Sequence, residues 1–163
     1  MPLKDRLSLT TETGSWIGEL PVSSRYTAGV AAEKFFVALR DKGQFLGSRC
    51  EVCGESYVPP KQYCEKCMTE LPESSWVKVG PEGTVESWTV VHIGLDGKRL
   101  AEPELVGLIR LDGATTAIVH RLGGVKPCDL CIGIRVRPVL KPEKKREGAI
   151  TDILYFQPAA KKR

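Results

Sequence analysis

The sequence predicts a mainly β chain with an N-terminal helix, in which a small zinc ribbon precedes a five-stranded barrel of the OB type. Three observations predict it. Two Cys-x-x-Cys pairs, Cys50/Cys53 and Cys64/Cys67, are separated by ten residues. Ahead of them, residues 28–42 place Ala32, Phe35, Phe36 and Leu39 at i, i+3, i+4 and i+7, one apolar face of a helix. Behind them, short runs rich in β-branched and aromatic residues alternate with turn signals, and no long helical period interrupts them.

Residues 1–24 are polar and irregular, with Gly14, Gly18 and Pro21, and read as an N-terminal arm. Trp16, Ile17 and Leu20 give that arm apolar side chains to lay on this chain or on a partner. Residues 25–47 form the helix region. Glu33, Lys34, Arg40 and Asp41 take the polar side of the helix, and Gly43 stops it. The Phe35/Phe36 pair suits either the chain's own core or a docking surface for another subunit.

Residues 48–74 are the ribbon. Four thiolates can complete a tetrahedral shell around Zn²⁺. Two residues within each pair let one tight turn present both sulfurs to the same ion. Gly54, directly after Cys53, supplies the positive φ such a turn prefers, and Pro59 and Pro60 stiffen the crossing between the turns. A segment of ~25 residues buries too little apolar surface to fold alone, whereas zinc contributes on the order of 10 kcal/mol of apparent binding energy to such a module. The same ligands suit a rubredoxin-type iron, but four protein ligands leave no position for substrate with either metal. The site therefore reads as structural.

Residues 75–157 are assigned to the barrel. Residues 76–79 open it, and 84–93, 105–111, 115–122, 132–140 and 150–156 follow as strands. Asp112-Gly113 marks a hairpin turn. Within 132–140, Ile132, Ile134, Val136 and Val139 are expected inside, with Arg135 and Arg137 facing away. Five strands in roughly 80 residues, with a gap between the third and fourth, suit an OB barrel. Residues 158–163 are a basic tail.

The formal charge of +4 is confined to the end of the chain: residues 141–163 hold seven basic residues against three acids. A neutral body argues against a dedicated nucleic-acid binder, although ribbons and OB barrels both serve that use and Trp76, Trp88 and Tyr155 offer stacking rings. No apolar run approaches the ~20 residues that cross a bilayer, and residues 1–10 lack the apolar segment of a signal peptide. The expectation is a soluble, cytoplasmic protein that binds no membrane. No nucleophile elbow, phosphate loop or dinucleotide fingerprint is present. His92 and His120 sit within predicted strands and read as structural. The chain is therefore not expected to be catalytic alone. A third pair, Cys128/Cys131, precedes the strand from Ile132 and reads either as two small apolar fillers or as a redox pair.

The runs Tyr26-Thr-Ala-Gly29, Phe35-Phe36, Gly47-Ser-Arg-Cys50, Tyr57-Val-Pro-Pro60 and Cys64-Glu-Lys-Cys67 occur in that order. With Gly83-Thr-Val-Glu-Ser-Trp88 and Ile132-Gly-Ile-Arg-Val-Arg137, they resemble the zinc-ribbon/OB-fold family of acyl-CoA-associated proteins, domain of unknown function 35. The resemblance covers residues 25–157. It implies N-terminal helices, a rubredoxin-like ribbon and a C-terminal OB barrel. It further implies a small non-catalytic subunit that accompanies a thiolase-like catalytic subunit or a related aldolase in a hetero-oligomer. One member type is the small subunit of benzylsuccinyl-CoA thiolase, which the arm and basic tail here would suit. Some members help to hold or pass coenzyme A or acyl-CoA thioesters. Arg49, Lys61 and Tyr63, which flank the ribbon cysteines, are the candidates for CoA because its phosphates need cations and its adenine needs an apolar surface. The family's four ribbon cysteines match Cys50, Cys53, Cys64 and Cys67. Cys128/Cys131 departs from the pattern.

Overall fold

A computed structural model describes residues 27–159. The arm of residues 1–24, with Trp16, Ile17 and Leu20, and the basic residues 161–163 lie outside the described residues.

The first element, α1, is the helix Gly29–Lys42. It ends where the sequence says it should. Gly43 takes φ +61, its N–H reaches the Leu39 carbonyl at 3.0 Å, and Gln44 N–H reaches Ala38 at 3.2 Å. This left-handed cap satisfies carbonyls that the last turn would otherwise leave open. The buried seam runs Ala31, Phe35, Leu39, with Ala32 and Phe36 on its flank. Phe35 and Leu39 are buried as the predicted stripe has them, and Ala31 takes the place of Ala32 at its first position.

Three short strands form the ribbon sheet in the order β2-β1-β3: β1 is Phe45–Arg49, β2 is Ser56–Tyr57 and β3 is Trp76–Val79. Residues 76–79, read from sequence as the opening of the barrel, pair instead with β1 (Phe45↔Val79, Ser48↔Trp76). The ribbon borrows this strand from beyond its cysteines, since β1 and the two-residue β2 alone make too small a sheet. Gly47 is required at the centre of β1, because a Cβ there would stand 2.7 Å from the Tyr57 carbonyl oxygen.

The barrel comprises β4 (Gly83–Ile93), β5 (Arg99–Leu111), β6 (Ala117–Leu122), β7 (Arg135–Leu140) and β8 (Ile153–Pro158). It closes in the order β4-β5-β6-β8-β7, with β7 returning to β4. Among the described residues the one parallel contact, Leu122↔Phe156, joins β6 to β8. An irregularity between Val85 and Ser87 lets the long β4 bend around the barrel. Arg135 clamps the β4–β7 closure with a bidentate pair to Asp112 (2.7 and 2.5 Å) and a further contact to Glu82 at 3.3 Å. The predicted alternation holds for Val136 inside and for Arg135 and Arg137 outside. It fails at Ile132, which is 73% exposed because the strand begins only at Arg135.

Helix, ribbon sheet and barrel share one core. Phe36, Phe35, Phe45 and Phe156 make successive ring contacts with centroids 5.4, 6.2 and 6.4 Å apart. Phe35 is buried in the chain's own core, so it is not a free docking residue; Phe36 is only half-buried beside it. The loop before β8 is tied by Asp152, which is fully buried. Its carboxylate accepts from the amides of Glu147 (3.0 Å), Gly148 (2.7 Å) and Ala149 (3.2 Å) and faces Lys141 Nζ at 3.5 Å. Burial alone would raise its pKa, but these amides and Lys141 hold it below the usual value.

Candidate metal centre

Cys50 directly follows β1, so the sheet fixes its position, and Cys53 lies one turn later. The amide of Gly54 closes onto Cys50 O at 2.8 Å, while Cys50 N–H donates to Glu55 O at 2.7 Å. The second pair repeats this pattern. Met68 N–H closes onto Cys64 O at 2.9 Å and Cys64 N–H donates to Thr69 O at 2.8 Å. Gly54 takes φ +77 and Met68 takes φ +59, so both turns end on a left-handed residue. The sequence signals the first through glycine. It conceals the second, where an exposed methionine holds a conformation that side chains rarely adopt.

The two turns face each other. Cys50 Sγ lies 3.5 Å from Cys67 Sγ, Cys53 Sγ lies 3.4 Å from Cys64 Sγ and 3.9 Å from Cys67 Sγ, and all four sulfurs fall within 4.8 Å of one another. Zn–S bonds of ~2.3 Å would set tetrahedral edges of about 3.8 Å, so the sulfurs fit a single zinc ion with little adjustment. Such an ion would supply charge neutralisation and a cross-link. Cys50 and Cys64 are buried, Cys53 and Cys67 half-buried, and among the described residues Tyr57 and Leu71 are the buried hydrophobic side chains clustered with them.

The chain's own groups are already arranged for thiolates. The Tyr57 hydroxyl is 3.2 Å from Cys64 Sγ and receives the Glu65 amide at 3.1 Å. The hydrogen bond from Tyr57 lowers Cys64 to about 6, and the same bond, with burial, pushes the Tyr57 hydroxyl up to about 12. The Thr69 hydroxyl, 3.2 Å from Cys67 Sγ, and the Thr69 amide lower Cys67. Cys53 goes the other way. The Glu55 amide lowers it, but burial and the neighbouring sulfurs outweigh that and raise it to about 12. Four sulfurs this close cannot all ionise without a cation between them. That is the electrostatic demand a divalent metal meets.

The edge of the ribbon is fastened to the barrel by two residues that sequence reading missed. In the turn between β5 and β6, Thr115 N–H and hydroxyl both donate to Ser56 O (2.9 and 3.1 Å), and the Thr115 hydroxyl accepts from Ser56 N–H at 2.9 Å. Thr116 Oγ1 accepts from Val58 N–H at 2.9 Å. Two adjacent threonines after Asp112-Gly113 carry no sequence signal beyond turn composition.

Of the three CoA candidates, Arg49 alone lines either of the two cavities described, while Lys61 N–H donates to Ser48 Oγ at 2.8 Å, next to Arg49. Arg49 is exposed and lines a cavity of about 380 Å³ with Glu51, Gly54, Ser74, Ser75 and Val77. Lys61 is paired with Glu65, and its ammonium stands 5.3 Å from the centre of the Tyr57 ring. Tyr63 is exposed and bridges to Glu70. His92 is exposed on β4. His120 packs edge-on to Phe156, and burial lowers its pKa, as expected of a structural histidine. Its Nδ1 is buried without a partner among the described residues. It belongs to a second, largely apolar cavity of about 420 Å³, where β5 and β6 face the loop before β8. Trp88 packs against the core, while Trp76 belongs to the ribbon sheet. No described helix is long and apolar enough to cross a membrane.

Two domain models match this architecture: the ChsH2 rubredoxin-like zinc ribbon domain over residues 38–70 and the ChsH2 C-terminal OB-fold domain over residues 76–141. A DUF35 domain-containing scaffold protein from Methanocaldococcus jannaschii is 29% identical over 124 residues, 74% of this chain and 85% of that protein. The crystal structure of a DUF35-family protein of unknown function from Sulfolobus solfataricus has the same fold, with a TM-score of 0.61 at 23% identity over 80% of this chain and 87% of that one. The Ltp2-ChsH2(DUF35) aldolase structure contains a chain similar to this one, with a TM-score of 0.55 at 25% identity over 78% of this chain and 93% of that one. By its ribbon, its barrel and the order in which they are joined, the chain belongs to the DUF35 family of zinc-ribbon/OB-fold proteins.

Proposed function

We propose that this chain is a non-catalytic accessory subunit of a thiolase- or aldolase-type enzyme acting on CoA thioesters. It would stabilise the catalytic subunit and help to seat the CoA portion of the substrate. The observation that carries this reading is the likeness to a chain of the Ltp2-ChsH2 aldolase across nearly the whole of that chain. The scaffold designation of the archaeal relative supports it. So does the chemistry of the metal centre: four protein ligands leave zinc no position for a substrate, so the reacting groups would come from the partner.

Of the residues expected to meet CoA, Arg49 is the strongest candidate. It borders a cavity that also offers the Ser74 and Ser75 side chains, and a guanidinium is suited to phosphate. Lys61 and Tyr63 lie outside that cavity and would serve another part of the ligand.

The test is co-purification of the full tagged chain from its native extract, with size-exclusion and mass-spectrometric readout. A thiolase- or aldolase-like protein in fixed ratio is the expected result, and its substrate range would decide among acyl groups, benzylsuccinyl-CoA included. Recovery of the chain with nucleic acid and no such enzyme would overturn the reading. Within the assembled complex, Arg49→Ala should weaken CoA binding roughly tenfold, the size of one charge-assisted hydrogen bond. Unchanged affinity by calorimetry would remove Arg49 from the site.

A further inference from the structure

The chain has three Cys-x-x-Cys pairs, and the structure separates the third from the other two. In the ribbon, the amide four residues after the first cysteine closes onto its carbonyl, and the residue after the second cysteine has positive φ. At Cys128/Cys131 neither feature occurs. Pro127–Asp129 form a 3-10 turn, Leu130 N–H reaches Pro127 O at 3.3 Å, and positive φ waits until Gly133. Among the described residues, the one cluster of three or more metal-ligating side chains is Cys50, Cys53, Cys64 and Cys67. The third pair therefore has neither the turn nor the partners of a metal half-site.

What it has is access and a fixed frame. Leu130 is buried in the barrel core, while Cys128 and Cys131 on either side of it are exposed. Downstream, Gly133 N–H donates to Val85 O at 2.8 Å, Val85 N–H donates to Ile134 O at 3.0 Å, and Ile134 N–H reaches Cys131 O at 3.2 Å. The segment is pinned by a core side chain and by β4, so the backbone that carries the two cysteines, three residues apart, is held in a fixed frame. Burial as filler, one of the two readings of this pair from sequence, does not occur.

We propose that Cys128 and Cys131 form a dithiol modification site that reacts with low-molecular-weight disulfides and closes to a Cys128–Cys131 disulfide. One thiol loses its proton to solvent, and its thiolate attacks a sulfur of the small disulfide. That S–S bond breaks, a mixed disulfide forms and half of the reagent leaves as thiolate. The second cysteine, deprotonated in turn, attacks the protein-bound sulfur, forms the internal disulfide and releases the other half. The protein pair gives up two electrons and two protons, and the reagent is reduced to two thiols. The ribbon cysteines are spared because their sulfurs converge within 4.8 Å of one another, where a metal would hold them, and two of them are buried.

The experiment treats the full, zinc-loaded chain with glutathione disulfide, quenches with acid, alkylates under denaturing conditions and maps the peptides by mass. The segment 122–135 should lose the mass of two hydrogens and both of its alkylatable thiols, while the ribbon cysteines remain alkylatable. Cys128→Ser and Cys131→Ser should each stop at a single glutathione adduct on the remaining cysteine. Both positions are exposed, so neither change disturbs the core. A wild-type segment carrying two glutathione adducts would overturn the proposal, since the sulfurs would then fail to reach each other. Two thiols left free after the reagent has oxidised a model dithiol would overturn it equally.

Discussion

The two ends of this molecule are held by different forces. At the barrel end, Phe35, Leu39, Phe45, Ile109, Leu111, Val136, Ile153 and Phe156 are fully or almost fully buried, in one cluster that also takes in the ribbon sheet. At the ribbon tip the buried set is Cys50, Tyr57, Cys64 and Leu71, and two of those four are metal ligands. The body can fold on apolar burial. The tip cannot, because without the metal its interior is a group of thiols with one phenol and one leucine. The strand β1 belongs to both, with Phe45 in the shared core at one end and Cys50 just past the other. The lesson is that metal and core are separate supports, joined through β1 and through the contacts of Thr115 and Thr116 with the ribbon edge, and they can be removed one at a time.

Metal removal is the largest expected effect and the cleanest break. Chelation of the purified chain, or Cys64→Ser, should release the turns at Cys50–Gly54 and Cys64–Met68, forfeiting on the order of 10 kcal/mol of apparent metal-binding energy at the tip. The barrel should persist. Amide hydrogen exchange would show it directly, with protection lost across residues 50–71 and retained in β5 and β8. Loss of protection throughout would mean that the ends are not independent.

Phe45→Ala attacks the junction. It removes a ring that touches both Phe35 and Phe156 and should cost about 3–5 kcal/mol, the usual range for a buried phenylalanine. Unlike Cys64→Ser, it should lower the thermal transition of the whole described unit. Zinc content, measured by atomic absorption below that transition, should stay unchanged.

Asp152 gives the body a pH dependence of its own, separate from the protonation of the tip's thiolates. Its folded pKa lies below the ordinary value, so its contribution is fully present above the unfolded carboxylate pKa and is lost as pH falls through the folded one. Asp152→Asn keeps an acceptor but turns an amide group toward three backbone N–H donors. It should cost roughly 2–3 kcal/mol near neutrality, and the stability of the variant should fall less steeply between pH 5 and pH 3 than that of the wild type. Parallel acid-unfolding curves would refute the assignment.

These contrasts also explain what could be read in advance. The four ligands, the helix and the barrel strands were legible because each rests on a local pattern: fixed spacing, a helical period, alternation between turns. Arg49, Lys61 and Tyr63 suit CoA by chemistry alone, and whether they share a surface depends on long-range geometry that no local pattern encodes. The same holds for the return of residues 76–79 to β1, where a four-residue run looks alike in either sheet. Asp152 reads as a surface acid because its partners are backbone amides, which leave no trace in side-chain pattern. Phe36 and Phe35 looked equivalent until the helix was seated, after which one faced the core and the other its margin.

The smallest effect tests how the tip is kept in register with the body. Thr115 is the closest thing to a latch between them, since its hydroxyl and amide make three contacts with Ser56, which is itself buried beside Tyr57. Thr115→Val keeps the shape and the backbone N–H to Ser56 O bond but leaves Ser56 N–H without its acceptor. The cost should be about 1–2 kcal/mol, one buried backbone donor left unmet. The cost should fall mainly on local opening of the ribbon edge, because β5 and the rest of the body are held by their own core. The readout is therefore local: faster exchange of the Ser56 and Val58 amides with β5 unaffected. If the variant instead loses zinc more readily to a competing chelator, the latch shapes the sulfur cluster as well as positioning it. The two ends would then be coupled through Thr115 rather than merely joined through β1.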